Sequence, residues 1–183
     1  CLLNKNRNPD LSSGDIESIL TTHLGATDFL WVDHGYLAGD DTDSHIDTLV
    51  RFAPNNTLVY VKCDAKEDEH FNALDAMEKQ LQNFKTQNNT PYTLIDLPWP
   101  KPVFDDDNTR LPATYANYLI INNTVLVPTY NDDNDALALA QVQKAYPAHT
   151  IIGVNCLPII EQFGSLHCIT MQLPRGFLAG AAQ

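Results

Sequence analysis

Two short stretches of this chain carry residue types able to do covalent chemistry. Cys168 stands in Gly164-Ser165-Leu166-His167-Cys168-Ile169-Thr170-Met171-Gln172, just after a Gly-Ser turn and at the mouth of an apolar, β-like run. Such a placement presents a thiol from a rigid edge, as nucleophilic catalysis requires. Far upstream, Gly39-Asp40-Asp41-Thr42-Asp43-Ser44-His45-Ile46-Asp47 alternates carboxylates with one histidine. In an extended segment alternate side chains share a face, which puts Asp41, Asp43, His45 and Asp47 on one side. A carboxylate two residues from a histidine can orient it, raise its pKa or hold a cation beside it. The alternative is a solvated acidic loop, because Asp-rich turns are common.

The thiol needs a base. Neighbours on a strand face opposite ways, so His167 is read as structural and His45 as the partner of Cys168. By composition alone a cysteine in Leu-His-Cys-Ile-Thr is more often buried and inert than catalytic, and it is the flanking Gly164-Ser165 that favours a functional one. Cys63 and Cys156 read as packing residues. A calcium loop counted from Asp41 fails, with Ile46 where glycine is required and Phe52 where glutamate is required. A two-histidine zinc motif fails too, since no second histidine sits at helical spacing from His45.

The elements that must position these groups follow from hydrophobic period and turn signals. Ser12 caps a helix whose apolar residues are Ile16, Ile19, Leu20 and Leu24 and which Gly25 ends. Residues 27–32 read as a strand leading into the acidic loop. Strands are expected at 46–52 and 57–61 around Pro54-Asn55-Asn56, then a helix over 67–84 with an apolar stripe of Phe71, Leu74, Met77, Leu81 and Phe84, then a strand at 92–97. A Pro-rich acidic loop, 98–112, reads as cover for a cleft. Strands at 116–121 and 124–127, a helix over 134–146 and a strand at 150–154 come next. Stretches 46–97 and 115–154 therefore share one order, strand, tight turn, strand, helix, strand, and 167–173 reads as a last strand. A ring of such units would place a site on its axis.

With 183 residues, 44% of them hydrophobic, the chain suits one domain spanning 1–183. A net charge of −12 disfavours nucleic acid and suits a small cation. Four cysteines without knuckle or framework spacing read as reduced thiols in a cytoplasmic protein, and no run is long enough to span a membrane. Cys1-Leu2-Leu3-Asn4 reads as the end of a strand already begun, which suggests the C-terminal part of a longer protein.

The acidic motif, together with Arg110-Leu111-Pro112-Ala113-Thr114-Tyr115-Ala116-Asn117, Val127-Pro128-Thr129-Tyr130-Asn131-Asp132 and Gly164-Ser165-Leu166-His167-Cys168, resembles the agmatine deiminase family, related to the bacterial peptidyl-arginine deiminases. The resemblance runs in order over essentially the whole chain. It implies an α/β pentein-type, guanidine-modifying fold of five ββαβ units around a pseudo-fivefold axis, a propeller of which this chain holds an incomplete set. It also implies hydrolysis of agmatine to N-carbamoylputrescine and ammonia without a cofactor, in putrescine biosynthesis. By the same resemblance Cys168 is the nucleophile, His45 the general acid/base and Asp47 a carboxylate on the guanidinium. Asp41 and Asp43 fall inside the acidic motif as further substrate-binding candidates.

Ser44 stands where the family usually has glycine. The family's N-terminal half, with a further substrate carboxylate, has no counterpart in this sequence, so the chain alone is expected to be inactive. Its macromolecular partners would be a second copy or a complementing N-terminal portion. Peptidyl- or free-arginine deimination is the rival enzymatic reading, and a non-catalytic binder of guanidinium or polyamine is the rival of another class.

Overall fold

A computed structural model describes residues 1–40 and 43–177. Two three-stranded sheets, ordered β1-β2-β3 and β4-β5-β6, carry the molecule. In the first unit β1 (Val50–Ala53) pairs antiparallel with β2 (Thr57–Val61), α2 (Phe71–Asn83) crosses over, and β3 (Thr93–Leu97) returns parallel to β2. The second repeats the plan: β4 (Leu119–Ile121) runs antiparallel to β5 (Thr124–Thr129), and after α3 (Asp135–Ala145) β6 (Thr150–Asn155) lies parallel to β5. The ββαβ repeat expected from the sequence is thus present twice. Asparagines make the tight turns: Asn55, Asn56 and Asn122 have φ of 59°, 54° and 52°, values that asparagine tolerates better than most side chains.

β2 is buried along its whole length, and Leu74, Met77 and Leu81 of α2 close over it, with Phe71 and Phe84 half-buried at the ends of the stripe. α3 buries Ala138, Val142 and Ala145, and Gln141 on its outer side donates to the Asp96 carbonyl of β3, so the second unit's helix leans on the first unit's sheet. Between the units, Arg51 Nη1 of β1 donates to the carbonyls of Ala116 (3.1 Å) and Tyr118 (2.7 Å), with the guanidinium 4.6 Å from the Tyr118 ring centroid. The Tyr146 hydroxyl donates to the Phe52 carbonyl.

α1 (Ser13–Leu24) has the predicted start and stop, a Ser12–Asp15 capping box and Gly25 in the left-handed conformation. Of its apolar face only Ile16 is buried. Several expected elements differ. Residues 27–32 form no strand: side chains, not a ladder, hold this run, with the Trp31 carbonyl accepting from Gln80 and the Trp31 indole donating to Glu17. The first residues of the expected 46–52 strand coil into a 3-10 turn, Ile46–Thr48, stabilised by the Thr48 hydroxyl on the His45 carbonyl. α2 starts at Phe71 rather than 67 because the Asp68 carboxylate accepts the His70 amide proton and holds a turn there. β4 begins at Leu119, since the carbonyls of 116 and 118 face Arg51. The expected strand at 167–173 is a turn followed by irregular chain, and residues 1–4 are turns as well. A short helix, α4 (Leu157–Ile160), precedes the Gly164-Ser165 segment. No helix of the described residues is long and apolar enough to cross a membrane.

Candidate active site

Asp47 lies in the 3-10 turn that delivers the chain into β1, half-buried rather than on an extended face. Its Oδ2 accepts from Asn117 Nδ2 at 3.0 Å and lies 2.6 Å from His167 Nδ1, 120 residues away in sequence. Burial works to raise the Asp47 pKa. The hydrogen bond and charge of His167, with the charges of Arg51 and His45, outweigh it, so the carboxyl lies below its usual range. An ionised Asp47 has only acceptors, which places the shared proton on His167 Nδ1.

Cys168 sits in the turn directly after His167. The Asn117 carboxamide oxygen accepts from the backbone N–H of both His167 (2.9 Å) and Cys168 (3.2 Å). The buried Ser165 hydroxyl meets the Tyr130 hydroxyl at 2.8 Å, and Tyr130 also donates to the Thr114 carbonyl, so the turn is fastened to the segment that carries Asn117. Gly164 lets the thiol approach: a Cβ there would lie 3.0 Å from the Cys168 Cβ. Although Cys168 is exposed as a residue, desolvation pushes its thiol pKa up, and the carboxylates of Asp47 and Asp40 add to the rise. Hydrogen bonds from the Ser165 backbone and the Asn117 side chain oppose it. Without substrate the thiol form is therefore favoured, and a cation between Cys168 and Asp47 would shift the balance towards thiolate.

His45 and Asp43 form an adjoining group. Arg7 Nε donates to Asp43 Oδ2 at 3.0 Å, Asn6 donates to Asp43 Oδ1, and Arg7 Nη2 lies 3.2 Å from His45 Nε2. His45 acts on Asp47 through its charge but shares no hydrogen bond with Cys168. Asp41 lies outside the described residues.

The loop that leads into this motif is braced from behind. His70, fully buried, stacks on Tyr36 and meets Trp99; its Nδ1 lies 2.6 Å from Asp68 Oδ1 and its Nε2 accepts the Ala38 N–H at 2.8 Å. That pairing defines a neutral, Nδ1-protonated ring, in keeping with a pKa lowered chiefly by burial. Arg110 grips Asp68 through both terminal nitrogens and reaches Glu69 at 3.0 Å. Burial alone would raise the Asp68 pKa, but the Arg110 and His70 hydrogen bonds hold it far below the usual carboxylate range.

The structure thus brings Asp47 and Cys168 into one hydrogen-bonded cluster and sets His45 and Asp43 beside it. Strand alternation, which had separated His167 from the chemistry, does not apply in a turn. Asn117 carried no role in the sequence, yet a carboxamide set among Ala116, Tyr118, Leu119 and Ile120 signals a buried polar group in need of partners. Among the described residues no group of three or more His, Cys, Asp or Glu is placed to hold a metal ion.

Known proteins resemble the chain over nearly all of this framework. A protein named "Putative agmatine deiminase" from Marinomonas sp. (strain MWYL1) is 32% identical over 190 residues, 95% of this chain and 51% of the relative. The solved structure of the "Putative Arginine Deiminase" from Porphyromonas gingivalis is 48% identical with a TM-score of 0.92, covering 96% of this chain and 52% of the other. A cysteine-to-serine variant of C. jejuni agmatine deiminase with substrate bound is 42% identical with a TM-score of 0.83, covering 91% and 48%. The chain spans about half the length of the curated relatives it matches. The family described as Porphyromonas-type peptidyl-arginine deiminase matches residues 1–174, and this chain belongs to it.

Proposed function

We propose that the chain carries the nucleophile and one substrate carboxylate of an agmatine deiminase. The observation that supports this most is the Asp47–Asn117–Cys168 cluster, in which a carboxylate suited to a guanidinium and an exposed thiol are held by one amide. A guanidinium is planar and cationic; Asp47 accepts its N–H donors while the Cys168 thiolate adds to its central carbon. The tetrahedral adduct collapses with loss of ammonia, protonated by His45, and leaves an amidino-cysteine (thiouronium). His45 then takes a proton from water, which adds to the same carbon. Expulsion of the thiolate, with the remaining hydroxyl proton passing to the released ammonia, frees N-carbamoylputrescine. Substrate and water supply every atom and no oxidation state changes, so the sequence needs no redox cofactor. The bound cation itself favours the thiolate that attacks it.

Deimination of arginine or a peptidyl arginine is the second reading, favoured by the family's description and by structural relatives named for those substrates at 48–53% identity. The same chemistry serves both, and groups around the substrate's tail decide between them. The repeated ββαβ connectivity supports membership of a five-unit ring, with the remaining units outside these residues. A cytoplasmic location agrees with four unpaired cysteines. Incubating the complete polypeptide with agmatine, arginine and an arginyl peptide, and quantifying ureido product and ammonia, tests the assignment. The expected result is agmatine favoured in kcat/KM by ~100-fold or more; an arginine preference supports the second reading, and binding of all three without product overturns both.

A further inference from the structure

We propose that Asn117 is a positioning residue that keeps the Cys168 turn and the Asp47 carboxylate in register as one unit; this rests on the reading of Cys168 as nucleophile. Asn117 is fully buried, and its side-chain oxygen, side-chain nitrogen and backbone carbonyl are all spent on these two partners. Its carboxamide oxygen takes both backbone N–H groups of the nucleophile turn, its Nδ2 donates to Asp47 Oδ2, and its own carbonyl accepts a second bond from the His167 N–H at 3.1 Å. Among side chains of this length only a carboxamide offers an acceptor and a donor in one plane: aspartate lacks the donor, and serine has one atom where two are needed.

The residue is itself held from both sides. Arg51 fixes the carbonyls of Ala116 and Tyr118, and the Thr114 hydroxyl donates to the Thr48 carbonyl, one residue beyond Asp47. Loss of the amide would free the turn and the carboxylate to move separately, and a displacement near 1 Å between reacting groups costs ~100-fold in rate. It would also remove one of the hydrogen bonds that oppose the rise in the thiol pKa.

The test is the pH dependence of iodoacetamide alkylation at Cys168 in the native protein, followed by peptide mapping, for the unsubstituted protein, Asn117→Ala and Asn117→Asp. Both variants should move the alkylation midpoint up by about one unit, a roughly tenfold slower reaction at neutral pH. They should lower kcat more than they raise KM. Unshifted midpoints in folded variants overturn the proposal. A thiol at 168 that never reacts in the unsubstituted protein overturns the nucleophile reading instead. Should the variants not fold, NMR of the unsubstituted protein decides: the Asn117 side-chain amide protons are expected to exchange slowly and to shift as Asp47 titrates, whereas fast exchange without a pH response contradicts the inference.

Discussion

Charge at single residues organises both the candidate site and its support. Asp47 is kept ionised among donors, while Cys168 is kept as a thiol by desolvation and neighbouring carboxylates, a combination that suits the proposed guanidinium substrate. Behind them Asp68 is ionised against Arg110 and His70. Because its folded pKa is depressed, its contribution to stability is complete above the unfolded value of about 3.9 and is lost as pH falls through that value towards the folded one. Asp68→Asn should therefore cost about 3 kcal/mol at pH 7, since it leaves Arg110 and His70 with poorer partners in a largely buried place. Urea denaturation should show the gap to the unsubstituted protein narrowing steadily below about pH 4; a gap of equal size at pH 3 and pH 7 would refute the electrostatic account. Cys168, His45 and Asp47 stand out in the sequence as candidates because their chemical types differ from their surroundings. Asn117 and the pairing of His167 with Asp47 are not, because both depend on which segments meet across the fold.

At the scale of elements, what could be foreseen was what depends on local period and turn chemistry. The α2 stripe, the asparagine turns and the Ser12 and Gly25 caps follow directly from residue spacing. The runs 27–32 and 167–173 are β-prone but have no ladder partner among the described residues, and a strand exists only where a neighbour supplies hydrogen bonds. The Asp68 side chain likewise overrides helical periodicity at the start of α2. Loop geometry near the site is under tight steric control. Gly39 has φ +80°, and a Cβ there would lie 2.4 Å from the Arg110 carbonyl oxygen and 3.1 Å from the Pro112 nitrogen. Gly39→Ala should therefore destabilise by about 2 kcal/mol or more, from the left-handed backbone and the clash together. Thermal unfolding measures it, and an unchanged Tm would show that the acidic loop does not lean on 110–112.

Across the whole molecule, two ββαβ units are joined by polar contacts at the seam where the site forms: Arg51 to 116 and 118, Thr114 to Thr48, and Asn117 to Asp47 and the Cys168 turn. The seam brings residues more than a hundred positions apart in sequence into one cluster, and under the proposed function the net charge of −12 favours a cationic substrate's approach. In the proposed reaction Cys168 forms a bond to the guanidinium carbon. Acid quenching of the complete polypeptide during turnover of agmatine, followed by mass spectrometry and peptide mapping, tests it most directly. A mass increase equal to agmatine less ammonia is expected, on the Cys168 peptide alone and absent in Cys168→Ser; ureido product formed by the Cys168→Ser variant at an undiminished rate, or an adduct on another cysteine, would rule the covalent step out.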